Sequence, residues 1–226
     1  RHTLHWLPLA HMFGRLGPYI DLIAGSVGHY GRGPERLVDD LMAARPHLLF
    51  AVPKVLVRLR HRIESGVGAK PALARRVFAA AHAVGLLAHR MPVTWGLRLH
   101  PLLRKAVFPA VHRPLGGRLA CVVVGGAPVD GAAKRWFEGL GIAVREGFGM
   151  TETSGVASVQ PLRRASFGAG PLLPSVSARL DSSGQLLLAG PTLLHRVRPE
   201  PPRGALTWFE TGDLARLDEA GNLIIE

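Results

Sequence analysis

Pro34-Glu35-Arg36-Leu37-Val38-Asp39-Asp40-Leu41-Met42-Ala43-Ala44-Arg45-Pro46-His47-Leu48-Leu49-Phe50-Ala51-Val52-Pro53 is the stretch whose reading decides the fold. Pro34 stands where a first helical turn tolerates it, and Leu37, Val38, Leu41 and Met42 follow at helical spacing. Pro46 ends that helix. Leu48 to Val52 is a short apolar strand, and Pro53 opens another helix with Val55, Leu56, Leu59 and Ile63 on one face. Ser26 to Tyr30, upstream, reads as a strand too, so strand and helix alternate. That rhythm predicts an α/β fold, a parallel sheet covered by helices.

Working outward, Leu4 to Ala10 is apolar and ends in His11, and Asp21 to Gly25 is apolar again. Pro71 opens a longer helix, with Leu73, Val77, Phe78, Ala81, Val84, Leu87 and Ala88 as its expected apolar stripe and Arg75, Arg76 and His82 outside it. A basic helical piece is expected from Leu97 to Val111. Leu119 to Val124 reads as a buried strand with Cys121 in the core. Gly125-Gly126-Ala127-Pro128 then turns into a helix through Trp136 and Phe137. Ala143 to Glu146 is a short strand that runs into Gly147-Phe148-Gly149. Beyond Gly155 the runs become short: Val176 to Leu180, Gln185 to Ala189, Leu214 to Leu217 and Leu223 to Ile225, separated by turn signals. The expectation is an α/β part over 1–155 followed by a small antiparallel β-subdomain over 156–226.

The 226 residues are 47% hydrophobic and carry a formal charge of +12. The surplus is local: thirteen Lys or Arg and one acid, Glu64, lie between Lys54 and Arg118. Such a band fits anionic lipid or a phosphorylated ligand. Aromatic residues are not interleaved with it, which argues against a nucleic-acid platform. One cysteine excludes an internal disulfide or thiolate metal cluster. No apolar run approaches the roughly 20 residues of a membrane span, and no secretory leader is recognisable. The expected compartment is cytoplasmic, with peripheral contact at the inner face of a membrane.

Gly147-Phe148-Gly149-Met150-Thr151-Glu152-Thr153 is the richest chemical stretch. It follows a strand, where open α/β sheets place ligands. Glycines let backbone approach a phosphate, a Thr hydroxyl donates to it, a carboxylate holds Mg²⁺, and Phe148 offers a stacking face. Alone, it is also a glycine turn with a capping Thr. In Thr211-Gly212-Asp213-Leu214 the carboxylate suits two ribose hydroxyls, or else it is a turn former. Gly125 to Pro128 leaves bare backbone beside a planar ligand, or is a tight turn. His11 is either a ligand-facing residue or a satisfied core histidine.

In this order the pieces resemble the adenylate-forming (AMP-binding) superfamily. Gly147 to Thr153 is similar to its Tyr-Gly-x-Thr-Glu signature and Thr211 to Leu214 to its Thr-Gly-Asp signature. Gly125 to Pro128 is similar to its adenine-side turn, and Gly170-Pro171-Leu172-Leu173-Pro174 to the loop between signatures. Trp6 to Phe13 and Ala51-Val52-Pro53-Lys54-Val55 resemble long-chain fatty acid–CoA ligases in particular. The resemblance implies that Gly126, Ala127, Glu146, Gly147, Phe148, Gly149, Thr151 and Asp213 bind the nucleotide. It makes Thr151 and Glu152 catalytic, gives Mg²⁺ to Glu152, and puts His11 near an acyl tunnel. ATP, Mg²⁺, coenzyme A and a fatty acid are the implied cofactors and partners. The family's phosphate loop, its hinge and its C-terminal lysine domain do not match any part of this chain. It therefore resembles an internal piece of the large N-terminal domain, expected to be inactive by itself. Adenylation of another carboxylic acid and a truncated, non-catalytic binding module are the alternatives.

Overall fold

The structure is a computed structural model that describes residues 1–90, 108–162, 168–193 and 208–226. Contacts divide the chain into two units. The first comprises Arg1–Ala10 and Gly14–Val144, and the second comprises His11–Phe13 and Arg145–Glu226. The sequence puts the change of character later, after Gly155.

The first unit contains β1 (His2–His5), most of α1 (Met12–Ala24), β2 (Val27–Tyr30), α2 (Leu37–Ala44), β3 (Leu48–Ala51), α3 (Pro53–Gly68), α4 (Ala72–Arg90), β4 (Cys121–Val124) and α5 (Gly131–Gly139). The strand order begins β2-β1-β3-β4-β5, where β5 is Ala143–Phe148. β1 runs parallel to β2 and β3, and β3 runs parallel to β4 in a register from Leu48 opposite Cys121 to Ala51 opposite Val124. Leu49, Leu56, Phe108, Leu115, Phe137 and Leu140 are fully buried between strands and helices. The α/β class expected from Pro34 to Pro53 is the class observed. Arg45 ends α2 in the left-handed region at φ 47, its N–H donating to Leu41 O at 2.9 Å, and Pro46 cannot continue the helix.

Three expectations need correction. α4 buries Phe78 partly and Ala81, Gly85 and Ala88 fully, while Leu73, Val77, Val84 and Leu87 are exposed. The reason is backbone proximity. A Cβ at Gly85 would collide with Gly139 O, so α4 meets α5 along a glycine rather than a leucine stripe, and His82 bonds Trp136 O at 2.9 Å. Cys121 is half-buried, not a full core residue. Third, Asp21 to Ala24 is the end of α1 and not a separate apolar run. The basic helix expected from Leu97 lies outside the described residues up to 107; at its end stands one helical turn, Pro109–His112.

At the N-terminal edge of the sheet, His2 Nδ1 and His29 Nε2 share a hydrogen bond at 2.9 Å, and His47 Nδ1 accepts from the His2 N–H at 3.2 Å. Burial, then His29, holds the His2 pKa below the ordinary imidazole value; for His47 the causes are burial, then Arg118. The unfolded chain therefore binds more protons than the folded one below about pH 6.5. Stability falls as pH drops through that window. Urea midpoints measured at roughly pH 7 and pH 5 should show the drop, and His47→Gln should flatten it.

In the second unit the end of β5 pairs antiparallel with β6 (Ser158–Val159), Gly147 opposite Val159 and Phe148 opposite Ser158. A separate antiparallel sheet has the order β7-β11-β10-β9-β8, comprising Gly170–Pro171, Asn222–Ile225, Phe209–Leu217, Gln185–Ala189 and Ser177–Leu180. Ala157, Leu186, Leu188 and Leu223 form its buried centre. This is the small antiparallel part that the sequence predicts, with β10 beginning earlier than Leu214. Asp218 Oδ1 closes the β10–β11 hairpin by accepting from Asn222 N at 2.8 Å.

Candidate functional site

β5 carries Glu146, Gly147 and Phe148 to the start of a tight loop. Gln160 fastens the strand: its Oε1 accepts from Glu146 N at 3.2 Å and its Nε2 donates to Gly168 O at 2.6 Å. Phe148 is half-buried, packed against the same apolar centre as Phe209. The chain then folds back so closely that a Cβ on Gly149 would lie 2.5 Å from Gly155 O and 2.6 Å from Val156 Cα. Met150 N donates to Thr153 Oγ1 at 3.0 Å, and Gly155 N donates to Met150 O at 2.9 Å. Ser154 turns the chain at φ 56.

The result is one 3₁₀ turn, Thr151–Thr153. Thr153 is buried and spent on holding the turn. Thr151 is exposed and Glu152 half-buried, and neither side chain has a hydrogen-bond partner among the described residues. The capping Thr of the sequence reading is thus Thr153, which frees Thr151. Gly149→Ala should disrupt this geometry and reduce the melting temperature by several degrees, about 1–3 kcal/mol of overpacking. Calorimetry of the variant checks this.

Asp213 sits in a break of register within β10, between Glu210 and Leu214. Gly212 takes φ 80, Thr211 Oγ1 donates to Leu186 O at 2.9 Å and accepts from Asp213 N at 3.1 Å. Asp213 is therefore a bulge residue within a strand. Its half-buried carboxylate has no partner among the described residues. Such bulges re-aim side chains.

In the first unit, Gly126 takes φ 85 after β4 with open space where a Cβ would stand, and Ala127 is exposed. Gly125 N donates to Ala51 O at 3.3 Å. Asp130 caps α5, and the N–H groups of Ala133 and Ala132 hold its carboxyl below the usual range. His11 is exposed ahead of α1, which overturns its reading as a core histidine. His5 is a buried histidine, paired with Asp21 at 2.6 Å. Local sequence singles out neither His5, nor the structural role of Thr211, nor Gln160. Their partners lie 16, 25 and 14 residues away in order, so no local spacing marks them.

No group of three or more His, Cys, Asp or Glu among the described residues forms a metal cluster. A single free carboxylate beside a hydroxyl still suits Mg²⁺, which keeps its waters and substrate phosphates as remaining ligands.

Residues 1–194 match the AMP-binding enzyme family. The chain belongs to that family. Among curated AMP-binding relatives, the long-chain-fatty-acid–CoA ligase FadD15 of Mycobacterium bovis is 28% identical over 98% of this chain and 38% of its own length. The peroxisomal acyl-CoA ligase 891 of Penicillium roqueforti is 31% identical over 97% of this chain and 34% of its own. The chain thus spans little more than a third of either relative. In fold it is similar to the N-terminal domain of FACL13 from Mycobacterium tuberculosis, with a TM-score of 0.65, 18% identity and coverage of 100% of this chain and 50% of that one. It is likewise similar to o-succinylbenzoate CoA synthetase from Bacillus subtilis, solved with ATP and magnesium ion, with a TM-score of 0.64, 18% identity and coverage of 99% and 41%.

Proposed function

We propose that this AMP-binding chain is part of an ATP-dependent long-chain fatty acid–CoA ligase. The observation that carries the reading is the Gly149–Gly155 turn. Its own hydrogen bonds are made by Thr153 and the backbone, and the Thr151 hydroxyl and Glu152 carboxylate are left over. Long-chain substrates are favoured by the likeness to the long-chain-fatty-acid–CoA ligase of Mycobacterium bovis and by the segments around Trp6 and Ala51.

A carboxylate is a poor electrophile. Its oxygen attacks the α-phosphorus of ATP, the bond to pyrophosphate breaks, and an acyl-adenylate forms. The CoA thiol then attacks the carbonyl carbon and AMP leaves. Thr151 donates a hydrogen bond to the α-phosphate, whose charge grows in the transition state. Phe148 stacks on adenine with Glu146 and Gly147 at its edge, and Asp213 accepts from the ribose hydroxyls. Gly126 and Ala127 line the nucleotide with bare backbone, and His11 faces the acyl chain. Mg²⁺, held by Glu152, would neutralise phosphate charge.

Peripheral contact with an anionic membrane is proposed for the exposed Arg58, Arg62, Arg75 and Arg76, in a cytoplasmic protein. Arg60 is occupied by Glu64 at 2.8 Å, and Arg58 approaches Glu35 at 3.5 Å. No helix among the described residues is long and apolar enough to cross a membrane.

The test is thioester formation in the longest natural protein that carries this chain, with acetate, octanoate, palmitate and o-succinylbenzoate. Palmitate should give the highest kcat/KM. A preference of more than about tenfold for another acid, about 1.4 kcal/mol in transition-state binding, replaces the substrate class while keeping the chemistry.

A further inference from the structure

Away from the nucleotide residues, the first unit has an open pocket of about 390 Å³ between α2, the C-terminal half of α3 and the turn Arg113–Leu115. Its floor is apolar, formed by the buried Leu59, Ile63 and Leu115. Its rim is cationic. Arg62, Lys70 and Arg113 are all exposed, and none has an ion-pair partner among the described residues. The sequence has no acid between Glu64 and Asp130 to balance them, and Glu64 is already engaged by Arg60 at 2.8 Å.

Gly66 forms part of the wall. A glycine weakens a helix interior, and a Cβ here would meet nothing within 4 Å. Packing therefore does not require the glycine, and a larger side chain at this position has open space to enter. A smaller hollow adjoins the pocket through the shared residues Val38, Leu59 and Arg62, so the apolar floor continues toward Val55. Among the described residues no aromatic ring lines either cavity, which disfavours a base or nucleoside.

We propose that this pocket binds a single-chain anionic amphiphile, its carboxylate or phosphate-ester head between Arg62, Lys70 and Arg113 and its chain along Leu59 and Ile63. Charge complementarity selects the head and the apolar floor selects the chain. An anion without a chain leaves that floor wet, and a cationic amphiphile meets three like charges. The proposal does not depend on the ligase reading.

The test is calorimetric titration of the full chain with dodecyl phosphate and with laurate, below their micelle concentrations. Dodecyltrimethylammonium and inorganic phosphate are the comparison probes. Both anionic amphiphiles should bind saturably, at least about tenfold more tightly than either comparison probe, and more weakly as salt rises. The stronger of the two heads assigns carboxylate or phosphate ester. Gly66→Leu fills the cavity and should weaken both about tenfold or more; Arg62→Ser with Arg113→Ser should do the same. Unchanged melting temperatures show that both variants are folded. If Gly66→Leu binds laurate and dodecyl phosphate as tightly as the parent, the amphiphile sits elsewhere and the proposal is overturned. Equal binding of the cationic amphiphile overturns it too. Absent adenylation by the longest natural protein that carries this chain, with intact dodecyl phosphate binding, would strike the ligase reading alone.

Discussion

Glu152→Gln is expected to slow acyl-adenylate formation about 10²–10³-fold, about 2.7–4 kcal/mol, with ATP affinity within a few-fold of the parent. Gln keeps the shape of Glu but carries no charge, and the 3₁₀ turn does not use this side chain for any hydrogen bond among the described residues. The loss is therefore chemical and not conformational. Asp213→Asn should behave in the opposite way. The proposed ribose contact would exist before and during the reaction, so its loss should weaken ATP binding and change the chemical rate little. Thr151→Ala should resemble Glu152→Gln more weakly. Thioester formation from preformed acyl-adenylate should suffer less from Glu152→Gln, because pyrophosphate has already left. Single-turnover measurement of each half-reaction separates these cases. Adenylation by Glu152→Gln within a few-fold of the parent would mean that Glu152 holds no metal and that Gly147 to Thr153 is only a turn.

Asp21→Ala should destabilise the chain by about 2–6 kcal/mol, because it leaves two buried polar groups unsatisfied at about 1–3 kcal/mol each. Asp21 is 6% exposed, His5 6% and Thr3 2%. Thr3 Oγ1 donates to Asp21 Oδ1 at 2.7 Å, and His5 Nε2 meets Asp21 Oδ2 at 2.6 Å. The surroundings pack closely around the pair. A Cβ on Gly17 would lie 2.5 Å from His5 Nδ1, and one on Gly28 would lie 2.8 Å from Asp21 Oδ2. Truncation leaves Thr3 and His5 buried with their polar atoms unmatched. Asp21→Asn retains an oxygen for Thr3 and should lose less. Urea unfolding reads both variants as midpoint shifts at constant slope. A shift for Asp21→Ala worth less than about 1 kcal/mol would mean that water or a neighbour replaces the carboxylate.

The legible elements were those whose boundaries and burial are both local. Pro46 and Pro53 delimit β3, and Leu56, Leu59 and Ile63 repeat at helical spacing and are buried as expected. β9 coincides with the run Gln185 to Ala189. α1 was not legible because its buried residues are Gly14, Gly17 and Asp21, which form no apolar stripe. α4 was half legible for a related reason. Its contact with α5 is made through Gly85, so the leucines that mark its periodicity point outward.

The site divides along the same line. Gly147 to Thr153 and Thr211 to Asp213 stand out in sequence because glycine, hydroxyl and carboxylate are adjacent. What sequence could not assign is which threonine is structural. Thr153 closes the turn and Thr211 the bulge, a division fixed by hydrogen bonds to Met150 and Leu186. The His5–Asp21 pair is hidden because its members belong to a strand and a helix separated by 16 positions.

Isotope exchange between pyrophosphate and ATP tests the central claim most directly, since label enters ATP only when an acyl-adenylate forms and reverses. In the protein that carries this chain, exchange should require palmitate and Mg²⁺, proceed without CoA, and fall about 10²–10³-fold in Glu152→Gln. Exchange that is absent with every acid tried, or that proceeds equally without acid, would contradict the account.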